Sequence, residues 1–281
     1  MPRPLTVACL QTSPLPDFDT ALAEALNLAD QAVLDGAELL TLPEYCGGLK
    51  STNGLFTPPA AKEESHPVVN GLRDFAAKAG VDVLIGSVAV TGSGQKYRNR
   101  SLYVDKAGAV LGRYDKIHLF DVNLSETESY CESDSVDPGA QSVTVDTRFG
   151  RVGLSVCYDL RFAHLYRAQA QEGAEILMIP AAFAATTGKA HWHVLQRARA
   201  IENGAFVVAP CAVGPVEGGG QCYGHSVIVE PWGEILADGG ETPGVISATI
   251  DLDAVSKTRA RVPSLQHDRP FAAPEKSRDV A

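Results

Sequence analysis

Cysteine is scarce in this 281-residue chain: six thiols, at positions 9, 46, 131, 157, 211 and 222, with no Cys-x-x-Cys pair among them. That density excludes a disulfide-stapled scaffold and predicts reduced thiols. Positive charge is short as well. With a formal net charge of −10, no net basic field exists to release counterions from nucleic acid, and anionic membrane surfaces are disfavoured for the same reason. Long apolar runs are missing, since none approaches the ~20 residues that span a bilayer. The first ten residues hold no apolar segment long enough for a secretory leader. These shortages predict a soluble, cytosolic chain with no nucleic-acid or membrane partner. The remainder is ordinary for a packed domain, with 45% hydrophobic and 21% charged residues.

Apolar spacing then alternates between two periods. Leu5 to Leu10 is a short apolar run, and Asp17 to Gly36 carries Ala21, Leu22, Ala25, Leu26, Ala29, Ala32 and Val33 at helical spacing. Glu38 to Leu42 reads as a buried strand ending at Pro43-Glu44. The rhythm continues with a helix over 67–79 and strands over 83–90, 101–105 and 110–114. An acidic, irregular stretch over 119–139 follows. Strands over 142–146 and 151–156, a helix-like segment over 161–172, a strand over 175–179, a helix over 190–203 and a strand over 206–209 repeat the alternation. Gly218-Gly219-Gly220 separates antiparallel strands, with 223–229 pairing either backwards or with 234–237, and 244–250 is the last strand. This is a layered α/β chain without an interdomain linker. Asn99-Arg100-Ser101 and Asn123-Leu124-Ser125 match the glycosylation pattern and are read as chance in a chain with no leader.

In Arg151-Val-Gly-Leu-Ser-Val-Cys157-Tyr-Asp-Leu-Arg-Phe162 an apolar strand ends at a thiol and a helix-like segment starts at once. That is the geometry of a nucleophile elbow, whose following N–H groups face a developing oxyanion. The competing reading is the common one, a small buried hydrophobe. Cys9 and Cys211 keep that reading, and Cys46, Cys131 and Cys222 look like loop thiols. A nucleophilic thiol wants a base or a cation, because the thiolate is the reactive form. Of the histidines at 66, 118, 164, 191, 193, 225 and 267, none is singled out by spacing. His191 and His193 lie in a predicted helix, where i and i+2 point to different faces and cannot easily share a metal. Glu44 directly follows a buried strand, at the sheet edge where α/β proteins hold ligands, although a turn cap would explain it too. Lys116, in Tyr-Asp-Lys-Ile-His-Leu-Phe, can hold positive charge against an oxyanion, or it is a solvated surface lysine.

Taken together, Leu-Pro-Glu44, Tyr-Asp-Lys116-Ile-His-Leu-Phe-Asp and Cys157-Tyr-Asp-Leu-Arg-Phe resemble, in order and spacing, the nitrilase superfamily of carbon–nitrogen hydrolases. Residues 190–203 and 223–234 resemble two further segments of that superfamily. The resemblance implies a four-layer α-β-β-α sandwich that pairs as a homodimer, and a Glu-Lys-Cys triad of Glu44, Lys116 and Cys157. The resemblance covers one hydrolase domain, taken as 1–271; the Pro-, Asp-, Arg- and Lys-rich end predicts a C-terminal tail over 272–281, on the surface or as an arm onto a partner subunit, and the chemistry expected of these residues needs neither metal nor organic cofactor. Cys131-Glu132-Ser133, Gly173 to Leu177, Pro180 to Phe183 and Gln266 to Pro270 are similar to the branch of deaminated-glutathione amidases and omega-amidases. In that branch a second glutamate, here Glu132, supports the lysine and the substrate. The sequence departs from the branch over Tyr45 to Gly54, which is expected to shape the pocket rim, and at His193, where the branch commonly has Glu.

The expected chemistry is attack by the Cys157 thiolate on a small amide, with Glu44 moving the proton and Lys116 and the Tyr158 backbone N–H holding the oxyanion. Tyr158, Arg161 and Phe183 are the candidate substrate contacts. A carboxylate-bearing amide on a chain of net charge −10 needs a local cation, for which Arg161 and Lys189 are candidates, Arg161 being equally readable as a structural ion-pair partner. Deaminated glutathione, cleaved to 2-oxoglutarate and cysteinylglycine, is the leading substrate. The competing readings are an omega-amidase, an acyltransferase passing the thioester to an amine, and a non-catalytic binding protein.

Overall fold

The computed structural model describes residues 2–52, 55–92, 94–124 and 129–272. The tail expected over 272–281 therefore lies outside the described residues apart from Ala272, as do Asn53 and Gly54 of the expected pocket rim and Ser125 of the second glycosylation match. The first main strands are β1 (Pro4–Gln11), β2 (Leu39–Thr41), β3 (Asp82–Thr91), β4 (Tyr97–Val104) and β5 (Val110–Asp115). They are followed by β6 (Val143–Asp146), β7 (Arg151–Leu154), β8 (Ile176–Met178), β9 (Phe206–Ala209), β10 (Val227–Val229), β11 (Ile235–Asp238) and β12 (Gly244–Asp251). Five α-helices accompany them among the described residues: α1 (Phe18–Leu34), α2 (Pro67–Ala79), α3 (Ala163–Gln171), α4 (Ala185–Asn203) and α5 (Asp253–Arg261).

One sheet has the order β12-β1-β2-β3-β4-β5, with the short strand Ala60–Ala61 added to β3; the other has the order β6-β7-β8-β9-β10-β11. Both carry a parallel trio, β1-β2-β3 and β7-β8-β9, flanked by antiparallel strands. Period-two alternation along β1 decides the layers. Leu5, Val7 and Cys9 join Val152, Leu154, Ile176 and Val208 in the core between the sheets. Ala8 and Leu10 face outward and pack with Ala25, Ala29, Val69 and Leu72 of α1 and α2. Leu165, Tyr166, Trp192 and Ala200 of α3 and α4 cover the other sheet. The result is a mixed α/β sandwich with a helical layer on each outer face.

Local chemistry explains the element ends. Asp17 caps α1 by accepting the Thr20 N–H at 2.9 Å, and α2 begins with Pro67 and stops at Gly80 in the left-handed conformation. The predicted helix over 190–203 is longer than expected, because Ala185 to Lys189 form its first turns. A Cβ at its Gly188 would lie 2.3 Å from the Tyr223 ring, so the glycine admits a close packing contact. The single strand expected over 223–229 is two pieces. Gln221–Tyr223 pairs back with Val213–Pro215 and Val227–Val229 pairs with β11, the break falling at Gly224 and His225, both with positive φ. Among the described residues no helix is long and apolar enough to cross a membrane.

Candidate active site

The site forms where several strands end. Glu44 follows β2, Lys116 directly follows β5, and Cys157 follows β7. Ala182 and Phe183 follow β8, and Glu132 opens a short 3-10 turn in the acidic stretch read as irregular. Each turn is held by backbone contacts. The chain at Leu42 and Pro43 lies so close to Gly86 that a Cβ there would fall 1.8 Å from the Leu42 carbonyl. Ser87 then secures the turn, its hydroxyl accepting the Tyr45 N–H at 3.0 Å. At the elbow, the Cys157 N–H donates to the Pro180 carbonyl at 2.8 Å and Cys157 has φ +50°. Asp159 fixes this strained turn: its carboxylate accepts the Val156 N–H at 2.9 Å, the Tyr114 hydroxyl at 2.7 Å and the His118 N–H at 3.1 Å. Arg199 of α4 donates twice to the Leu160 carbonyl, at 3.0 and 2.7 Å.

Four polar side chains converge in the cleft, and all are buried: Lys116 is 2% exposed, Glu44 4%, and Glu132 and Cys157 7% each. Lys116 Nζ lies 2.8 Å from Glu44 Oε1 and 3.0 and 2.8 Å from the two oxygens of Glu132. Glu44 Oε2 accepts the Ala182 N–H at 2.9 Å, and the carboxylate shares the cleft with Cys157. Glu132 also accepts the Phe120 N–H at 2.7 Å and the Tyr45 hydroxyl at 3.2 Å. Asn99 joins the two acids, donating from Nδ2 to Glu44 Oε1 at 2.8 Å and to Glu132 Oε1 at 3.2 Å. With Phe56, Phe120, Tyr158, Phe183, Ala184 and Thr187 they line a cleft with about 330 Å³ of empty space, counting its open mouth.

The electrostatics follow from burial set against pairing. Burial alone would raise the Glu44 pKa, yet the Lys116 charge and the donated hydrogen bonds bring it below the ordinary carboxylate value. Burial alone would lower Lys116, but Glu132 and Glu44 hold it well above its ordinary value. Burial, then the Glu44 charge, push the Cys157 thiol well up, outweighing the pull of Lys116. Burial and the neighbouring carboxylate thus favour the protonated thiol at rest, in keeping with a mechanism in which Glu44 takes the proton as sulfur attacks.

Other expectations resolve as follows. Tyr158 and Phe183 line the cleft. Arg161 sits over the Tyr158 and Phe183 rings at 5.8 and 5.6 Å and contacts His191 Nδ1 at 3.3 Å. Among the described residues it makes no salt bridge to a carboxylate. Lys189 is exposed on α4 and does not line the cleft. Cys46 and Cys222, read as loop thiols, are buried, and burial lifts Cys46 to about 12. Asn99, Tyr45 and Asp159 were missed. Asn99 had been noticed only as a glycosylation match, whereas its 1% exposure and its place between two acids exclude a glycan there. An amide inside the strand segment Tyr-Arg-Asn-Arg-Ser, and an acid two residues after the elbow thiol, were the available signals.

A mixed α/β sandwich that gathers a thiol elbow, a buried acid and a buried ammonium in one cleft has the equipment of an acyl-transfer enzyme. The chain belongs to the carbon–nitrogen hydrolase family, whose sequence profile matches residues 6–260. It is 41% identical over 270 residues to a deaminated glutathione amidase of Synechocystis sp., covering 94% of this chain and 98% of that protein. It is 33% identical over 248 residues to an omega-amidase of Mus musculus, covering 88% and 89%. In structure it resembles the C. elegans NitFhit protein, with a TM-score of 0.86 and 30% identity over 95% of this chain; it spans only 65% of that longer chain. The nitrilase-type α/β fold and the assignment as an amidase-class carbon–nitrogen hydrolase follow.

Proposed function

We propose that the protein hydrolyses the amide of deaminated glutathione to 2-oxoglutarate and cysteinylglycine through a thioester on Cys157. The observation that carries the chemistry is the buried Glu44 carboxylate, which lines one cleft with the Cys157 thiol while its Oε1 is held by Lys116 and Asn99. Glu44 takes the thiol proton as sulfur attacks the amide carbon. Lys116 and the Tyr158 N–H, one of the free donors at the start of the Cys157–Arg161 turn, stabilise the tetrahedral oxyanion. Glu44 returns the proton to the leaving nitrogen, the C–N bond breaks and cysteinylglycine departs. Water then attacks the thioester carbonyl, Glu44 accepts its proton and passes it to the departing sulfur, and the free acid leaves. No step calls for a metal or an organic cofactor. Glu132 keeps Lys116 charged and aimed, and Arg161 binds the substrate carboxylate over the Tyr158 and Phe183 rings. An Arg161→Ala variant is therefore expected to raise KM for anionic amides more than for neutral ones.

The substrate choice is supported by the 41% identity to a protein named for that activity. The 33% identity to an omega-amidase supports a second reading, 2-oxoglutaramate or 2-oxosuccinamate. Deaminated glutathione and 2-oxoglutaramate form the same oxoglutaryl thioester and differ only in the leaving group. Parallel assays of kcat/KM with both amides, scoring cysteinylglycine and ammonia against a Cys157→Ala blank, separate the readings. Deaminated glutathione is expected to win, and a preference for 2-oxoglutaramate would reassign the enzyme as an omega-amidase. Cytoplasmic residence and a homodimer complete the proposal. The dimer is supported by exposed apolar side chains around α4, among them Val194, Ile201 and Trp232, and a monomer in sedimentation would remove it.

A further inference from the structure

Away from the cleft, three residues distant in sequence meet at the surface end of the second sheet. His193 is on α4, His225 sits at the break before β10, and Asp238 ends β11. Asp238 pairs with both rings, His193 Nε2 at 2.9 Å from Oδ2 and His225 Nδ1 at 2.9 Å from Oδ1. The three donor atoms lie within 4.8 Å of one another. His191, by contrast, turns to Arg161.

We infer that His193, His225 and Asp238 form a binding site for a divalent transition metal of the zinc class. Two imidazole nitrogens and one carboxylate oxygen are the borderline donor set that suits Zn²⁺ and its neighbours rather than Mg²⁺ or Ca²⁺. A tetrahedral ion with bonds of ~2.1 Å sets its ligands ~3.4 Å apart, so small side-chain rotations seat it here. The rings are already oriented. Tyr223 stacks on His225 at 4.6 Å and meets the His193 ring edge-on at 6.1 Å. Gly240 N–H fixes Asp238 Oδ1 at 2.9 Å, and Glu241 lies 3.9 Å from His225 Nε2, as an outer partner that would hold the ring nitrogen opposite the metal. His225 is also one of three non-glycine residues with positive φ among those described, and the other two, Tyr45 and Cys157, belong to the cleft.

The site joins α4 to the β10–β11 hairpin. Trp192, next to His193, donates to the His225 carbonyl at 2.7 Å and packs on Phe183 at 5.0 Å, and Phe183 lines the cleft. A bound ion therefore stiffens one wall of the substrate pocket without entering the chemistry.

The test uses the full chain with Cys157→Ala in every arm, so that the cleft thiol cannot compete for metal. After chelator treatment the protein is titrated with ZnCl2 in a calorimeter and with CoCl2 in a spectrophotometer. One equivalent of Zn²⁺ is expected per chain, with a Tm that rises with metal, and a cobalt spectrum without a thiolate charge-transfer band. His193→Gln and Asp238→Asn should each weaken binding by at least ~10-fold and abolish the Tm rise. Absence of saturable binding, a thiolate band, or unchanged binding in both folded variants would overturn the site.

Discussion

Replacing Glu44 by Gln should lower turnover while making the Cys157 thiol easier to deprotonate. Turnover loses its base and is expected to fall ~10²–10⁴-fold. The thiol, however, loses the anion that raises its pKa while Lys116 remains beside it. At ~4 Å and an effective dielectric of ~20 the lost repulsion is worth up to ~4 kcal/mol, or about three pH units. Glu132 and relaxation of the cleft reduce this, so a fall of ~1–2 units is expected. The variant also carries a cost, because the neutral amide cannot satisfy every donor now aimed at the carboxylate. With its oxygen facing Lys116 and Asn99, its NH2 meets the Ala182 N–H, a clash of donors worth ~1–3 kcal/mol of stability. The assay is alkylation by iodoacetamide between pH ~6 and ~11, a range that brackets the ordinary thiol value, resolved by cysteine with peptide mass spectrometry, beside initial hydrolysis rates. Cys9, Cys46 and Cys211, lifted to about 12 by burial, serve as unreactive references. A midpoint for Cys157 that stays put or rises when Glu44 is neutralised would refute the resting thiol–carboxylate pair.

Asn99→Ala removes two donors to carboxylates and should lower kcat by ~10–100-fold, with the acid limb of the rate profile moving to higher pH because Glu44 loses a hydrogen bond that favours its charged form. Asp159→Asn sets an NH2 among the donors from Val156, Tyr114 and His118; about 3 kcal/mol of stability should be lost, read as a lower urea midpoint at unchanged m-value. With Glu44 below its ordinary value and Cys157 and Lys116 well above theirs, kcat/KM should be flat from the acid limb through pH ~9, without an inflection at the ordinary thiol value. Because the folded-state Glu44 pKa is the depressed one, its contribution to stability is present above the unfolded carboxylate value and is lost as pH falls through the folded one. Acid titration of stability should show that loss, and Glu44→Gln should remove it.

Much of this was legible because strand ends are abrupt in sequence. Leu-Pro-Glu44 and Ser-Val-Cys157-Tyr-Asp each set a reactive side chain directly after a buried apolar run, and the sheet then delivers such residues to its carboxyl edge. The layers came from the family resemblance, because β1 reads in sequence as one apolar run and only the structure shows its alternate residues entering two different cores. Depth and partnership were not readable. Lys116 looks like any lysine until two carboxylates from separate turns close on it, and Asn99 acquires meaning only when β4 carries it between them. The upward push on the Cys157 thiol was hidden for the same reason, since it depends on burial and on Glu44, 113 positions away in the chain. His193 gave no signal within its own helix, because its partners arrive from the β10–β11 hairpin.

The thioester itself is the most direct test. Protein quenched in acid within milliseconds of mixing with deaminated glutathione should carry an oxoglutaryl adduct on the peptide containing Cys157, formed as cysteinylglycine is released and absent from Cys157→Ala. Turnover that persists in the Cys157→Ala protein, or an adduct on another residue, would contradict the account.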